Sequence, residues 1–140
     1  FGSEDGDYLP HSYGYNSICY IGTHDNPTLK QWLGLLKKKE LAFAKKYCAL
    51  SEEEGYDRGI LRMGQLSPSM LFVAEIQDYL GLADGCRINT PGVVEGNWRW
   101  RLLPGELTSK LAKDIRELTA RYGRLNPRAP QPKKREAKEK

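Results

Sequence analysis

Two short apolar runs, SICYI at residues 17–21 and MLFVA at residues 70–74, constrain the fold of this chain more than any other feature. Neither run alternates with polar residues, which is typical of strands buried on both faces in a parallel sheet. Helical patterns separate the two runs, and a strand–helix–strand order predicts parallel pairing. Two parallel strands alone make no stable sheet, because both edges need partners. The sequence therefore predicts an α/β fold that is incomplete on its own.

The helices are predicted from apolar spacing and capping signals. Asn26 or Thr28 is suited to cap the first helix, and a third helix is predicted to begin at Ser51, because the acidic residues that follow favour the positive end of a helix dipole. Gly123 is predicted to stop the last helix. The predicted segments are helices at about 29–36, 37–50, 51–66 and 106–122, one helical turn at 79–82 and an extended stretch at 98–102.

The net charge of +4 belongs to the end of the chain, since residues 126–140 carry six of the 22 Lys and Arg residues and two of the 18 Asp and Glu residues. This basic, Pro-rich tail is predicted to be disordered, although such tails also bind polyanions. Three cysteines without CxxC spacing indicate neither a disulfide framework nor a zinc cluster and favour a reduced, cytoplasmic protein. No run of apolar residues is long enough to span a membrane.

The sharpest polar motif, GTHDN at residues 22–26, follows the first predicted strand. In parallel α/β folds ligands bind at this carboxyl end of the strands. His24 beside Asp25 suits hydrogen bonding to sugar hydroxyls or stabilisation of a developing positive charge. The alternative is that Asp25 and Asn26 only cap a helix and that His24 is a loop residue with satisfied hydrogen bonds. No metal site is expected, because the only other histidine, His11, has no ligand spacing to His24.

A second polar segment, RINTPG at residues 87–92 followed by GNWRWR at 96–101, combines amides with aromatic rings. Sugars and unstacked bases both use such surfaces, although the tryptophans could equally be core residues. Asp78, after the second strand, is expected to cap a turn or to shape the floor of a site. Retaining cleavage of a glycosidic bond needs two carboxylates about 5 Å apart. Asp25 is one, but Glu75 has no evident partner, so no convincing pair is present.

These motifs resemble those of one enzyme family. The segment YIGTHDN at residues 20–26 is similar to the YTGTHDN segment of glycoside hydrolase family 77, the 4-α-glucanotransferases also called amylomaltases or disproportionating enzymes. Residues 76–82, IQDYLGL, resemble its LQDLLGL, and residues 87–101 resemble its RMNTPG and GNWxWR blocks. Residues 9–11 look like its YLPHNY lead-in. Four ordered blocks between residues 8 and 103 make the resemblance specific.

The resemblance implies that residues 1–125 are the C-terminal segment of a (β/α)₈ TIM barrel, with strand 7 ending at His24 and Asp25 and strand 8 at Gln77. Asp25 would match the acid that stabilises the oxocarbenium-like transition state. His24 and Asn89 would match residues that bind the substrate glucan. The reaction implied is retaining transfer of an α-1,4-glucan segment to the 4-hydroxyl of an acceptor, without a cofactor. The nucleophile and the acid/base would precede this chain, which is therefore expected to be inactive alone.

Four positions depart from the family pattern, namely Pro27, Glu75, Ile88 and Glu95, and they affect subsite detail rather than reaction class. The expected partners are α-1,4-glucans and the remainder of the same barrel, with neither nucleic acid nor membrane. One alternative function is a non-catalytic glucan-binding module. Another is nucleic-acid binding through the tail and the WRWR segment, which would weaken steeply with salt.

Overall fold

The structure, a computed structural model, describes residues 6–128. The predicted tail therefore lies mostly outside the described residues, as do residues 1–5. Two parallel strands pair with Cys19 opposite Phe72, and helices pack against one face of the pair. The elements in order are a 3₁₀ turn Pro10–Ser12, β1 Ile18–Tyr20, α1 Leu29–Leu35, α2 Lys38–Tyr47, α3 Tyr56–Leu66, β2 Leu71–Val73, α4 Ile76–Tyr79 and α5 Ser109–Arg121.

The core lies between the sheet and the helices. Its centre is formed by apolar side chains from α1, α3, α5 and the end of α2, and Phe72 and Ile21 of the strand segments pack against it. The buried members are Leu29, Cys48, Ile60, Leu61 and Leu118. This arrangement confirms the predicted parallel α/β order and leaves the carboxyl ends of both strands at one edge.

The prediction that both strands are buried on both faces was wrong for this chain. Cys19 is 2% exposed, but Ile18 and Tyr20, which point to the opposite face, are 45% and 48% exposed. The reason is that the described residues place helices on one face only, and they contain no third strand at either edge. Leu71 in β2 is likewise exposed.

The third helix begins later than its acidic residues predicted. Ser51 does accept a hydrogen bond from the Glu54 N–H at 3.2 Å, but this bond closes a turn rather than a helix. Gly55 follows with φ of +86°, a conformation that L side chains rarely adopt. This residue redirects the backbone, and α3 starts at Tyr56.

Candidate functional site

The turn after β1 is held by its own polar side chains. The Oδ1 atom of Asn26 accepts hydrogen bonds from the Thr23 backbone N–H at 2.8 Å and from the Thr23 hydroxyl at 3.0 Å. Thr28, not Asn26, caps α1 by accepting from the Gln31 N–H. The Asp25 carboxylate therefore caps no helix, in contrast to the alternative that the sequence left open.

The loop at residues 83–101 folds over this turn and brings the three predicted site residues together. The Asn89 side-chain amide donates to Asp25 Oδ1 at 2.6 Å, and the Asn89 backbone N–H donates to the His24 carbonyl at 3.0 Å. His24 Nε2 lies 3.5 Å from the same Oδ1 atom. Both side chains are about half exposed, at 50% for His24 and 49% for Asp25. A carboxylate, an imidazole and an amide are thus presented together on an accessible surface.

Arg87 joins the same two segments through its guanidinium, a contact that sequence reasoning missed. Its Nη2 atom donates to the Asp25 carbonyl and its Nε atom donates to the Asn89 carbonyl at 2.7 Å. The one signal in the sequence was that Arg87 opens the segment that contains Asn89. Nothing in that spacing indicated that its partner would be a backbone carbonyl 62 residues earlier.

Trp98 lies beside His24, with 4.9 Å between the ring centroids and 38° between the ring planes. It is 57% exposed. The prediction of an extended stretch at residues 98–102 was wrong at its first residue, because Trp98 has φ of +63°, and residues 98–102 form no strand. The Trp98 N–H donates to the Ile88 carbonyl at 2.8 Å, and this bond turns the backbone back along the loop. The indole is therefore a flat apolar surface beside the polar cluster.

Asp78 lies in the floor of the site, which is the buried region beneath the turn at residues 22–26. It is buried at 4% exposure, and its Oδ1 atom accepts from the Leu29 backbone N–H at 2.7 Å, so it caps the start of α1 from another element. Burial raises the pKa of this carboxyl, opposed by the Leu29 hydrogen bond. Burial, together with nearby Asp78, also raises the pKa of Glu75, whereas His24 lowers it. Both carboxyl groups therefore hold their proton more readily than usual.

A cavity of about 520 Å³ lies next to this floor, and Gly22, Asn26, Glu75 and Asp78 form part of its lining. The lining includes none of the three predicted site residues. The cavity runs along the edge of β1 towards residues 8–13, whereas the polar cluster faces outward. We therefore take the open surface at Asp25, rather than the cavity, as the candidate site.

Replacing Asp78 with asparagine is expected to lower the stability of the chain relative to wild type as the pH falls. At neutral pH two effects oppose each other: the variant buries no charge and its amide oxygen can still accept from Leu29, but its NH₂ group cannot accept from the Glu75 backbone as the carboxylate does. Because the folded-state pKa of Asp78 is raised, the wild type loses stability as the pH rises from the ordinary aspartate pKa through the raised one. The stability of the variant relative to wild type should therefore fall as the pH falls through that window. Urea unfolding of both proteins from pH 3 to 7 would measure the difference, and a variant that gains stability relative to wild type as the pH falls would contradict the prediction.

Within residues 6–128, no group of three His, Cys, Asp or Glu side chains could hold a metal ion. The same part of the chain contains no helix that is long and apolar enough to cross a membrane. At the candidate site the described residues offer hydrogen bonding, the half-exposed Asp25 carboxylate and an aromatic face.

Fold and site together define a parallel α/β protein whose polar side chains gather at the carboxyl ends of neighbouring strands. Residues 1–108 match the family model of glycoside hydrolase family 77, 4-alpha-glucanotransferase, and the chain belongs to this family. It is 40% identical over 124 residues to the 4-alpha-glucanotransferase of Clostridium butyricum, covering 88% of this chain and 26% of that protein. The potato enzyme, named chloroplastic/amyloplastic, is 36% identical over 129 residues, covering 89% of this chain and 22% of that protein.

A solved structure gives the same result. The amylomaltase from Streptococcus agalactiae in complex with acarbose superposes with a TM-score of 0.86 at 31% identity, over 89% of this chain and 25% of that one. Amylomaltase is a TIM-barrel enzyme. This chain therefore spans about a quarter of the length of the relatives that it matches.

Proposed function

We propose that this chain supplies one corner of the active site of a 4-α-glucanotransferase. Asp25 stabilises the transition state, and His24 and Asn89 bind the sugar on which Asp25 acts. The observation that carries the proposal is the Asp25 carboxylate itself, which lies half exposed at the end of β1, with Asn89 at 2.6 Å and His24 at 3.5 Å from Oδ1. The acarbose bound to the amylomaltase neighbour supports a glucan-like ligand.

The geometry suits a carboxylate that acts without being consumed. Both contacts that the Asp25 carboxylate makes with residues 6–128 fall on Oδ1, which leaves Oδ2 open to a sugar hydroxyl. A fixed negative charge beside the ring stabilises the positive charge that develops as the glycosidic bond breaks. Trp98 adds an exposed apolar face against which a sugar ring can pack.

The proposed reaction transfers an α-1,4-glucan segment to the 4-hydroxyl of an acceptor by a retaining double displacement. That mechanism needs a nucleophilic carboxylate and a protonated acid about 5 Å apart. Asp78 cannot be either one, because it is buried and caps α1. We therefore assign both roles to a longer protein that includes this chain, in keeping with the quarter of each relative that the chain covers.

The partner in this proposal is the remainder of the barrel, with β1 and β2 as its seventh and eighth strands. Support comes from the exposed face that carries Ile18, Tyr20 and Leu71, since these apolar side chains need cover. It also comes from the two sheet edges, which no other strand of residues 6–128 pairs. A cytoplasmic location belongs to the same proposal and agrees with three free cysteines.

Disproportionation of maltotriose is the direct test. We expect the longer protein to release glucose and longer maltooligosaccharides, and the 140-residue chain to produce neither. The reason is that the isolated chain holds the stabilising carboxylate without a nucleophile. Product analysis by chromatography at equal protein concentration measures both. Turnover by the isolated chain would show that the missing carboxylates are wrongly assigned.

A further inference from the structure

Arg87 connects the two segments that carry the site. Its guanidinium donates to the carbonyl of Asp25 and to the carbonyl of Asn89, and these residues carry the carboxylate and the amide of the site. The side chains of Asp25 and Asn89 also touch, at 2.6 Å. Arg87 therefore connects, through their backbone carbonyls, the same two residues whose side chains contact each other.

The loop depends on such side-chain hydrogen bonds because residues 83–101 form no helix or strand. Its other bonds to the rest of the protein include the Asn89 N–H to the His24 carbonyl and the Gln77 side chain to the Cys86 carbonyl at 3.3 Å. The Asn97 side chain also stabilises the loop, but its hydrogen bonds are to Thr90 and Val93 of the loop itself. Of the described side chains, only that of Arg87 bonds both the Asp25 backbone and the Asn89 backbone.

A guanidinium fits this position for geometric reasons. It is a rigid, planar group with several N–H donors, so two carbonyls held by it keep a fixed separation. Lysine carries a single flexible ammonium and fixes no such geometry. A small displacement of a group that acts in the transition state lowers the rate sharply, by about 100-fold for about 1 Å.

We propose that Arg87 is a positioning residue, which sets the distance between the Asp25 carboxylate and the Asn89 amide without contacting the substrate. The inference rests on the proposed function, since it takes Asp25 as the stabilising acid. It adds that the Arg87 side chain, which contacts only the backbone carbonyls of the two residues, determines where that carboxylate lies.

The test compares Arg87→Ala, Arg87→Lys and Arg99→Ala in the longer protein. Arg99 is an exposed arginine of the same loop that makes no hydrogen bond to residues 6–128, which makes it the matched control. We expect Arg87→Ala to lower kcat by about 100-fold, because the carboxylate is misplaced, while KM changes by less than about fivefold. Arg87→Lys should lose about tenfold. Arg99→Ala should stay within about twofold of wild type.

Added guanidinium ion, below denaturing concentrations, should restore the rate of Arg87→Ala by at least about tenfold and leave wild type unchanged, because the ion can reoccupy the site between the two carbonyls. Rescue of kcat in a variant whose melting temperature is unchanged is an outcome that an arginine needed only for folding would not give. The proposal is overturned if Arg87→Ala keeps kcat within about threefold of wild type, if Arg99→Ala loses as much, or if guanidinium restores nothing. Where the alanine variant does not accumulate, kcat and KM are compared for Arg87→Lys without added guanidinium, and a kcat within about threefold of wild type would overturn the proposal.

Asp25→Asn, measured alongside, separates the two proposals. A nearly normal rate for Asp25→Asn would refute both the proposed function and the positioning role of Arg87. An inactive Asp25→Asn beside a fully active Arg87→Ala would overturn the positioning role alone. Melting temperatures of all the variants within a few degrees of wild type would confirm that the rates report on the site rather than on folding.

Discussion

Replacing Asp25 with asparagine in the longer protein is expected to lower kcat by about 1000-fold, or about 4 kcal/mol of barrier. Asparagine matches the shape of aspartate and can still face the Asn89 amide at Oδ1, so the loop should stay in place. What is lost is the negative charge beside the developing oxocarbenium ion. Because the charge acts mainly in the transition state, kcat should fall much more than KM changes. Steady-state disproportionation of maltotriose measures both.

Asp84→Asn provides the control for this substitution. Asp84 lies at the start of the same loop, is exposed, and forms no hydrogen bond or ion pair with residues 6–128. The same change of carboxylate to amide there should leave kcat within about twofold, as is usual for surface substitutions away from a site. A rate for Asp25→Asn within tenfold of wild type would refute the stabilising role, whatever the other variants show.

The strands were predictable from the sequence because their apolar runs encode burial directly. Cys19 and Phe72 pair in the centre of the sheet; Cys19 is buried and Phe72 packs against the helical core, as two uninterrupted apolar runs predict. The faces could not be assigned in the same way. Ile18 and Tyr20 are apolar like Cys19, yet they are exposed here. An apolar run indicates that a face of the strand is suited to burial, but it does not indicate which element covers that face.

Backbone conformation caused the other errors. Alternation in the WRWR segment resembles a strand pattern, but Trp98 takes φ of +63°, which no hydrophobic pattern predicts. Acidic residues after Ser51 resemble a helix start, yet the positive φ of Gly55 delays the helix to Tyr56. Local propensity therefore placed the elements to within a few residues and failed where one left-handed residue redirects the chain.

The residues of the site could be predicted from the sequence, but the contacts that bring them together could not. Motif position alone marks His24 and Asp25 as residues at the end of a strand. The contact of Asp25 with Asn89, 64 residues later, depends on how a loop without regular structure folds back, and Arg87 joins the site only through backbone carbonyls. Such side chain–backbone contacts are little constrained by the partner's residue type, so residue patterns carry little signal for them.

A second large effect is expected where α3 crosses β2. Gly64 is buried in α3, and a methyl group added there would overlap the Phe72 ring and lie 3.0 Å from Ile21 Cδ1. Alanine favours a helix by about 1 kcal/mol over glycine. Overpacking a core costs about 1–3 kcal/mol and sometimes more, and Phe72 has little freedom to withdraw because its strand is paired with β1. Gly64→Ala should therefore lower the free energy of unfolding by about 2 kcal/mol, as measured by urea unfolding followed by Trp fluorescence.

Gly34→Ala separates packing from helix propensity. Gly34 lies inside α1, and a methyl group added there would meet no atom within 4 Å. The same substitution should raise the free energy of unfolding by about 0.5–1 kcal/mol, because alanine loses less conformational entropy on folding. Opposite signs at the two glycines would show that the close contact between α3 and β2, rather than the intrinsic preference of α3, sets the cost at Gly64. If Gly64→Ala stabilises the chain as Gly34→Ala does, then Phe72 can move aside, and the sheet that presents Asp25 is more loosely held than these contacts imply.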